Sequence, residues 1–600
     1  MPDHAWASEA AAGARRVLVL RVLTALCQAA ALYLITAAAR MPLSWPATHP
    51  AAFVALLLVS CFVPLLILFG LGQVRPRPLL LWACAAAVAA AGLGVHDALR
   101  GRVPDFHGPE VSWPSFPLWI ALAASLFVAH VLVIDSIIER RLVSSYPRHF
   151  DTSWKVAVQS GLAIAFVGVF WGVLELGAGL FKLVDVDFFR RLIGRRWFVF
   201  PATTLALAVA IHATDVQPAL IRGARSMALA LFSWLLPLLA AILLGFLASL
   251  PFISLAPLWK THFATLLLLT AAILLVILIN SCYQDGAAEQ TRSRIKRGAV
   301  RVAAIELLPL VGLAAYALWL RIGQYGLTVE RIQAAAVIVL VACYAAGYAT
   351  ASLRSPAWMQ RMEVTNRIAA WLFIAVVLTL FSPLADPARL MVADQVARLR
   401  SGAVSADTFD FGALKFDGAR WGAAALEQMA RATEGAQAAP VADRARRALA
   451  LQNRYEWNQA ALQSPTADAL AQRIVVRPAG RALPPTFVND ALMAPYSGAG
   501  RPNCTVQAGP VCIARFVDLG QGRAEAIVFI DAFSNGFLFE SGPDGRWLKS
   551  ALLQGNYRCA EMRSQFEEGQ IRLQPHPWPD LLVGGRSIEI QSFPAPCGPP

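Results

Sequence analysis

The chain has 600 residues, of which 57% are hydrophobic and 15% charged, and a formal net charge of +14. Soluble proteins carry about a quarter charged residues, so this composition excludes an ordinary soluble protein and calls for lipid around the apolar excess. Lys and Arg outnumber Asp and Glu by 30 to 17 up to residue 384 but only by 22 to 21 after it, a bias that membrane topology explains and that argues against a nucleic-acid partner.

Runs of about 20 nearly uncharged residues, the length a helix needs to cross the hydrocarbon, recur and then stop at residue 384. They predict eleven transmembrane helices, over 17–39, 51–71, 79–95, 115–134, 156–180, 197–214, 226–249, 261–281, 302–320, 332–351 and 367–384. The first is expected to stay as an uncleaved helix, because its apolar run is longer than that of a signal peptide and includes Arg21. With the N-terminus inside, the cytoplasmic segments hold eighteen Lys and Arg against eleven outside. An odd number of spans then puts the tail outside. The exception is Lys182 to Arg196, where phenylalanines alternate with basic residues as in an interfacial helix.

Ionisable groups within spans are the first candidates for function. Glu175 and Lys182 lie seven residues apart near the outer end of the fifth span, where a surface ion pair is the favoured reading over a transport site. Glu306 precedes Pro309 by three residues in the ninth span, and a carboxylate beside a helix break can line a cavity. Gln28, His130, Gln159, His212 and Asn280 are scattered singly, as interhelical hydrogen-bonding groups are. Gly168 with Gly172, and Cys343 with Gly347 and Ala351, have the spacing of close helix packing.

The tail changes texture twice. Residues 386–461 are Ala-rich with helical spacing. From Arg473 onward β-like runs at 474–476, 512–517, 526–530, 537–539, 571–573 and 587–590 alternate with turn residues, which predicts a small antiparallel sheet. Asp518 to Glu525 has two carboxylates and glycines where a calcium loop needs ligands, so it reads as a turn. Cys504, Cys512, Cys559 and Cys597 all fall here, an even set expected to form disulfides in an oxidising compartment. Four cysteines allow three connectivities. Cys504 to Cys512 and Cys559 to Cys597 is preferred, because Gly509 and Pro510 can turn the first loop and the second bond would tie down the last strand.

Three stretches carry a resemblance: Arg321-Ile-Gly-Gln-Tyr325-Gly326-Leu-Thr328-Val-Glu-Arg331, Asp394-Gln-Val-Ala-Arg-Leu-Arg400, and Phe416-Asp-Gly-Ala-Arg-Trp-Gly422. Together they resemble the bacterial membrane family called domain of unknown function forty-one fifty-three, over residues from about 50 to 430. That resemblance implies a multi-span inner-membrane protein and brings no activity to any residue. In physical terms Gly326 can take a positive φ between two spans, Thr328 can cap the next helix, and Glu330 complements its dipole.

The expected fold is thus an α-helical polytopic membrane bundle of about eleven helices, followed by a soluble α+β tail that ends in a small antiparallel β domain. Its expected parts are a transmembrane domain over 1–384, a helical connection over 385–470 and a β-rich, periplasmic domain over 471–600. No nucleophile with a base, no metal-ligand spacing and no nucleotide fingerprint occurs, so no catalytic residue, metal or cofactor is expected. The leading functional reading is a non-enzymatic inner-membrane anchor or signalling protein, with the lipid bilayer and a periplasmic protein as partners. The alternative is a transporter or lipid-handling protein with an intramembrane cavity near Glu306.

Overall fold

A computed structural model describes residues 3–40, 43–101, 112–252, 264–284, 293–353, 358–433, 437–451, 454, 457, 474–487, 512–520, 526–530, 536–542, 546–553, 560–572, 581–583 and 586–588. The chain divides into two compact units, Met1–Gln452 and Asn453–Pro600.

Eleven helices of the first unit are long and apolar enough to cross a membrane, the number expected from the sequence. They are α1 (Asp3–Ala38), α2 (Pro50–Gly70), α3 (Pro76–Leu99), α4 (Phe116–Glu139), α5 (Tyr146–Leu183), α7 (Arg196–Val216), α8 (Pro218–Ser249), α9 (Ala264–Tyr283), α10 (Arg294–Tyr325), α11 (Val329–Ser352) and α12 (Trp358–Leu380). The basic stretch after α5 does not form one amphipathic helix. It folds as the end of α5, a turn with Asp185 at φ +57°, and the six-residue α6 (Phe188–Ile193).

Proline sets where several helices begin, because its missing N–H falls among the donors that a first turn leaves unpaired. Pro50, Pro76, Pro117, Pro147 and Pro218 all occupy such positions. Large apolar side chains such as Ile164, Val169 and Leu176 stay exposed along α5, as a face in contact with lipid requires.

Among the described residues, the two largest clusters of buried side chains lie apart. One joins α1, α2, α3 and α4 around Phe53, Leu58 and Leu118. The other joins α8 to α12 around Leu275, Leu307 and Tyr348. Tyr146, Phe150, Leu229 and Tyr283 form a smaller aromatic cluster along the seam, from α5, α8 and α9.

The small-residue patterns part ways. At Gly347 of α11 an added Cβ would collide with the Thr365 side chain of α12, so these helices do approach closely. Gly168 and Gly172 of α5, by contrast, face open space among the described residues. The expected close packing is absent there because no neighbouring helix covers that face.

After α12 the chain continues in four shorter helices, α13 (Pro387–Arg400), α14 (Phe411–Asp417), α15 (Ala419–Ala430) and α16 (Ala438–Ala450), all in the first unit. Met391 and Val392 of α13 bury against Ile332 of α11, with Trp421 and Ala425 of α15 beside them. Gly422 lets α15 lie directly on the Leu414 carbonyl of α14.

In the second unit β1 (Ile474–Arg477), β2 (Cys512–Val517), β3 (Ala526–Ile530), β4 (Gly536–Ser541) and β5 (Trp547–Leu553) form one sheet in that order. It is antiparallel from β2 to β5, while β1 joins β2 in parallel, so the predicted antiparallel sheet is a mixed one. Phe487, from the single turn α17 (Pro485–Phe487), packs edge-on against Phe539 and Trp547 at the centre of the core.

The helix α18 (Ala560–Glu568) ends at Gly569, which has φ +87°, and Arg515 of β2 donates to the carbonyls of Phe566 and Glu567 there. Ile571 and Arg572, expected in a strand, lie in no strand among the described residues, and Leu573 lies outside them. A last hairpin pairs β6 (Leu581–Val583) with β7 (Arg586–Ile588). Cys512 is buried in β2 and is not among the free cysteines. Cys504, Cys559 and Cys597 lie outside the described residues.

Candidate functional site

Polar residues in lipid gather where they can satisfy one another, and one such gathering lies between the two helical groups. Asn280, one turn from the end of α9, is its centre. Its Nδ2 donates to Tyr348 Oη of α11 at 2.9 Å, and its Oδ1 accepts from Tyr146 Oη of α5 at 3.2 Å and from Asn366 Nδ2 of α12 at 2.9 Å. Tyr348 closes the ring by donating to Asn366 Oδ1 at 2.7 Å. Four helices are thereby tied at one point.

Beside this cluster is a chamber of about 470 Å³ bounded by α4, α5, α9, α11 and α12. Phe127, Val131, Phe150, Trp154 and Val276 give it an apolar wall, and Asn280, Asn366, Tyr344, Ser153 and Arg367 give it polar groups. This size and mixture are those of a small-molecule site, an apolar cleft with a few polar groups that fix orientation.

One wall is held by a buried network. Asp135, fully buried on α4, contacts His149 Nδ1 at 2.8 Å and accepts from Thr152 Oγ1 at 2.7 Å, while His149 Nε2 meets Ser144 Oγ at 3.1 Å. The order Ser, His, Asp is that of a hydrolytic triad. Ser144, however, is only 1% exposed. The network positions the first turn of α5, and with it Tyr146 and Phe150.

Across that turn is a charged recess of about 630 Å³ lined by Arg148, Lys155, Arg222 and Arg225 and by Glu139, Asp151 and Asp215. Asp215 pairs with Lys155 at 2.9 Å and with Arg21 at 2.8 Å. Arg21, 1% exposed, also donates to the carbonyls of Leu68 and Leu71 at the end of α2. It therefore secures three spans, which accounts for an arginine inside the first hydrophobic run.

The residues singled out from sequence fall elsewhere. Glu306 is 3% exposed in the core of the second helical group, and neither carboxyl oxygen has a hydrogen-bond partner among the described residues. It lines neither the chamber nor the charged recess, and α10 runs unbroken through Pro309. Glu175 and Lys182 are both exposed on α5, and no ion pair joins them among the described residues. Seven residues of helix separate them by about 10 Å along the axis, too far for the expected contact. Gln28, Gln159, His130 and His212 do bond across helices, to Ser60 and Cys61, Ile211, Trp82 and Arg21 respectively. Asn280 is not a lone group of this kind. Its partners Tyr146, Tyr348 and Asn366 are 134, 68 and 86 residues away in sequence, so only the fold reveals the cluster.

At the opposite ends of α4 and α11 the sequence motifs come together. Gly326, at φ +76°, ends α10, and Thr328 caps α11 by accepting from Arg331 N at 3.3 Å. Asp394 of α13 accepts from Leu327 N at 2.7 Å, Gln395 donates to the carbonyls of Tyr325 and Leu327, and Arg398 donates to that of Gln324 at 3.0 Å. Arg321 and Arg331 both lie over the Tyr325 ring. Farther along the same face, Arg420 N donates to the Arg100 carbonyl at 2.7 Å, and Trp421 packs against His96. The three stretches that carry the resemblance are therefore one assembly, a helical cap clamped onto the turn between α10 and α11.

A family profile matches residues 51–431, from the first turn of α2 to one residue past α15. The chain belongs to the DUF4153 family. The family is described as a domain of unknown function, and its extent includes the cap as well as ten of the eleven spans, all but α1. No curated protein and no solved structure matches the chain.

Proposed function

We propose that this DUF4153 protein is a non-enzymatic, multi-pass protein of the bacterial inner membrane that holds an amphiphile between its two helical groups. The chamber carries the reading, because it joins a broad apolar wall to a compact polar cluster within the spans. An ion path would call for a file of charged groups, whereas an apolar wall of this extent suits a hydrocarbon chain. The same observation moves the lipid-handling alternative away from Glu306 and ahead of a pure anchor. Ala370 lines the chamber on α12, and Ala370→Trp is expected to fill it. Lipid retained by the purified protein in native mass spectrometry should fall at least fivefold with the fold intact. Retention equal to the parent protein would reject the chamber as a binding site.

In the orientation favoured by the loop charges, the chamber lies toward the cytoplasm, while the cap and the second unit lie in the periplasm, where the tail would meet a protein partner. The four tail cysteines would then be oxidised, in two disulfides worth roughly 2 to 5 kcal/mol each to a small domain. A variant that keeps only Cys504, Cys512, Cys559 and Cys597 tests both points. In spheroplasts an impermeant maleimide should label it only after reduction. Labelling without reduction would refute the disulfides, and labelling only after lysis would refute the periplasmic side.

A further inference from the structure

Arg367 lines the chamber from α12, seven residues into the span Gln360–Leu380, which places its backbone about 10 Å along the helix from the start of that span. A cation at such a depth normally has a carboxylate beside it. Among the described residues no ion pair or hydrogen bond engages the Arg367 guanidinium, and no Asp or Glu lines the chamber; Glu363, one turn before it on α12, is engaged by the Tyr283 hydroxyl. Asp135, the buried acid of the wall network, is taken up by His149, Thr152 and Arg148.

The uncharged groups of the lining have the same bias. Asn280 spends both donors and its acceptor oxygen on Val276, Tyr348, Tyr146 and Asn366. The Tyr344 and Ser153 hydroxyls, which line the chamber, have no hydrogen-bond partner among the described residues. Asn366 uses one of its two N–H groups on Asn280. What the protein leaves open is a fixed positive charge with neighbouring O–H and N–H donors, and the complement of that set is an anion rich in acceptor oxygens. The flanking wall is apolar, so the anion comes with a hydrocarbon chain.

Resting on the amphiphile reading above, we propose that the chamber selects an anionic phospholipid and that Arg367 supplies the counter-charge for its phosphodiester headgroup. A charge-assisted contact of this kind, partly shielded from water, corresponds to about a tenfold preference over a lipid of no net charge.

The test uses the full chain, purified in detergent and offered equal amounts of phosphatidylglycerol and phosphatidylcholine, with bound lipid read by native mass spectrometry. The parent protein should retain phosphatidylglycerol about tenfold over phosphatidylcholine. Arg367→Gln should bring that ratio near one, Arg367→Lys should restore most of it, and Arg361→Gln, on the same helix outside the chamber, should leave it unchanged. Excess inorganic phosphate should not displace the lipid.

A ratio that is the same in the parent and in Arg367→Gln overturns the headgroup assignment, and displacement by phosphate overturns the lipid as the source of the anion. Either result leaves the chamber reading intact as long as Ala370→Trp still loses lipid. Undiminished lipid in Ala370→Trp removes that reading itself.

Discussion

Gly326→Val is expected to destabilise the membrane unit by about 3 to 5 kcal/mol. Its backbone, at φ +76° and ψ −172°, lies in a region that is essentially reserved for glycine, and a β-branched residue there costs about 1 to 3 kcal/mol in strain. Space is lacking as well. A Cβ on Gly326 would come within 2.6 Å of Gln395 Nε2, 2.7 Å of Asp394 Oδ2 and 2.8 Å of Arg398 Cδ. These three side chains make the hydrogen bonds that clamp α13 to the turn, so relief of the clash breaks contacts worth about 1 kcal/mol each. Gly326→Ala should lose less, since it keeps the strain but intrudes with a smaller side chain. Thermal unfolding of the purified protein in detergent measures both. A loss below 1 kcal/mol for the valine variant would show that the turn and the cap do not depend on each other.

Asp386→Ala should be of similar severity for a different reason. The Asp386 carboxylate is fully buried, faces His96 at 2.9 Å and Arg100 at 2.8 Å, and caps α13 by accepting from Ala388 N and Arg389 N. Its removal takes from His96 and Arg100 the carboxylate they share, leaving Arg100 only Asp97 at 3.8 Å among the described residues, and uncaps the helix. Breaking one side of a buried ion pair typically costs about 3 to 5 kcal/mol. Asp386→Asn keeps an acceptor for the cap and should recover part of that loss. If the asparagine and alanine variants unfold together at the parent temperature, the His96, Arg100 and Asp386 cluster is not what holds α13 to the end of α3.

The membrane spans were legible because length and apolarity are local properties, and each run of about 20 uncharged residues announces itself. The turn at Gly326 and the cap at Thr328 were legible for the same reason, since a glycine and a hydroxyl at those positions act on their own neighbours. The clamp was only half visible. Asp394, Gln395 and Arg398 were marked as part of a resemblance, but nothing local said that they reach back to residues 323–327.

The chamber was hidden for a related reason. Asn280 resembles any other polar residue near a helix end until Tyr146, Tyr348 and Asn366 are brought to it from three other helices. Glu306 instead lies buried on α10, which runs unbroken through Pro309, so the nearby proline alone does not place it beside the chamber. Strand β5 was missed since Lys549 and Ser550 interrupt its alternation, and a bulge at Leu538 and Phe539 shifts its pairing.

The clamp also has a bearing on biosynthesis. Leu327 N and the carbonyls of Gln324 and Tyr325 leave the ribosome about 70 residues ahead of the α13 side chains that bond to them. At bacterial and eukaryotic elongation rates that gap lasts roughly 4 to 14 s. Through this interval the α10–α11 turn has its polar backbone open. A nascent chain that stops after the last span would carry all eleven crossings and still keep those groups bare, a mark by which a protease could tell an unfinished copy from a finished one.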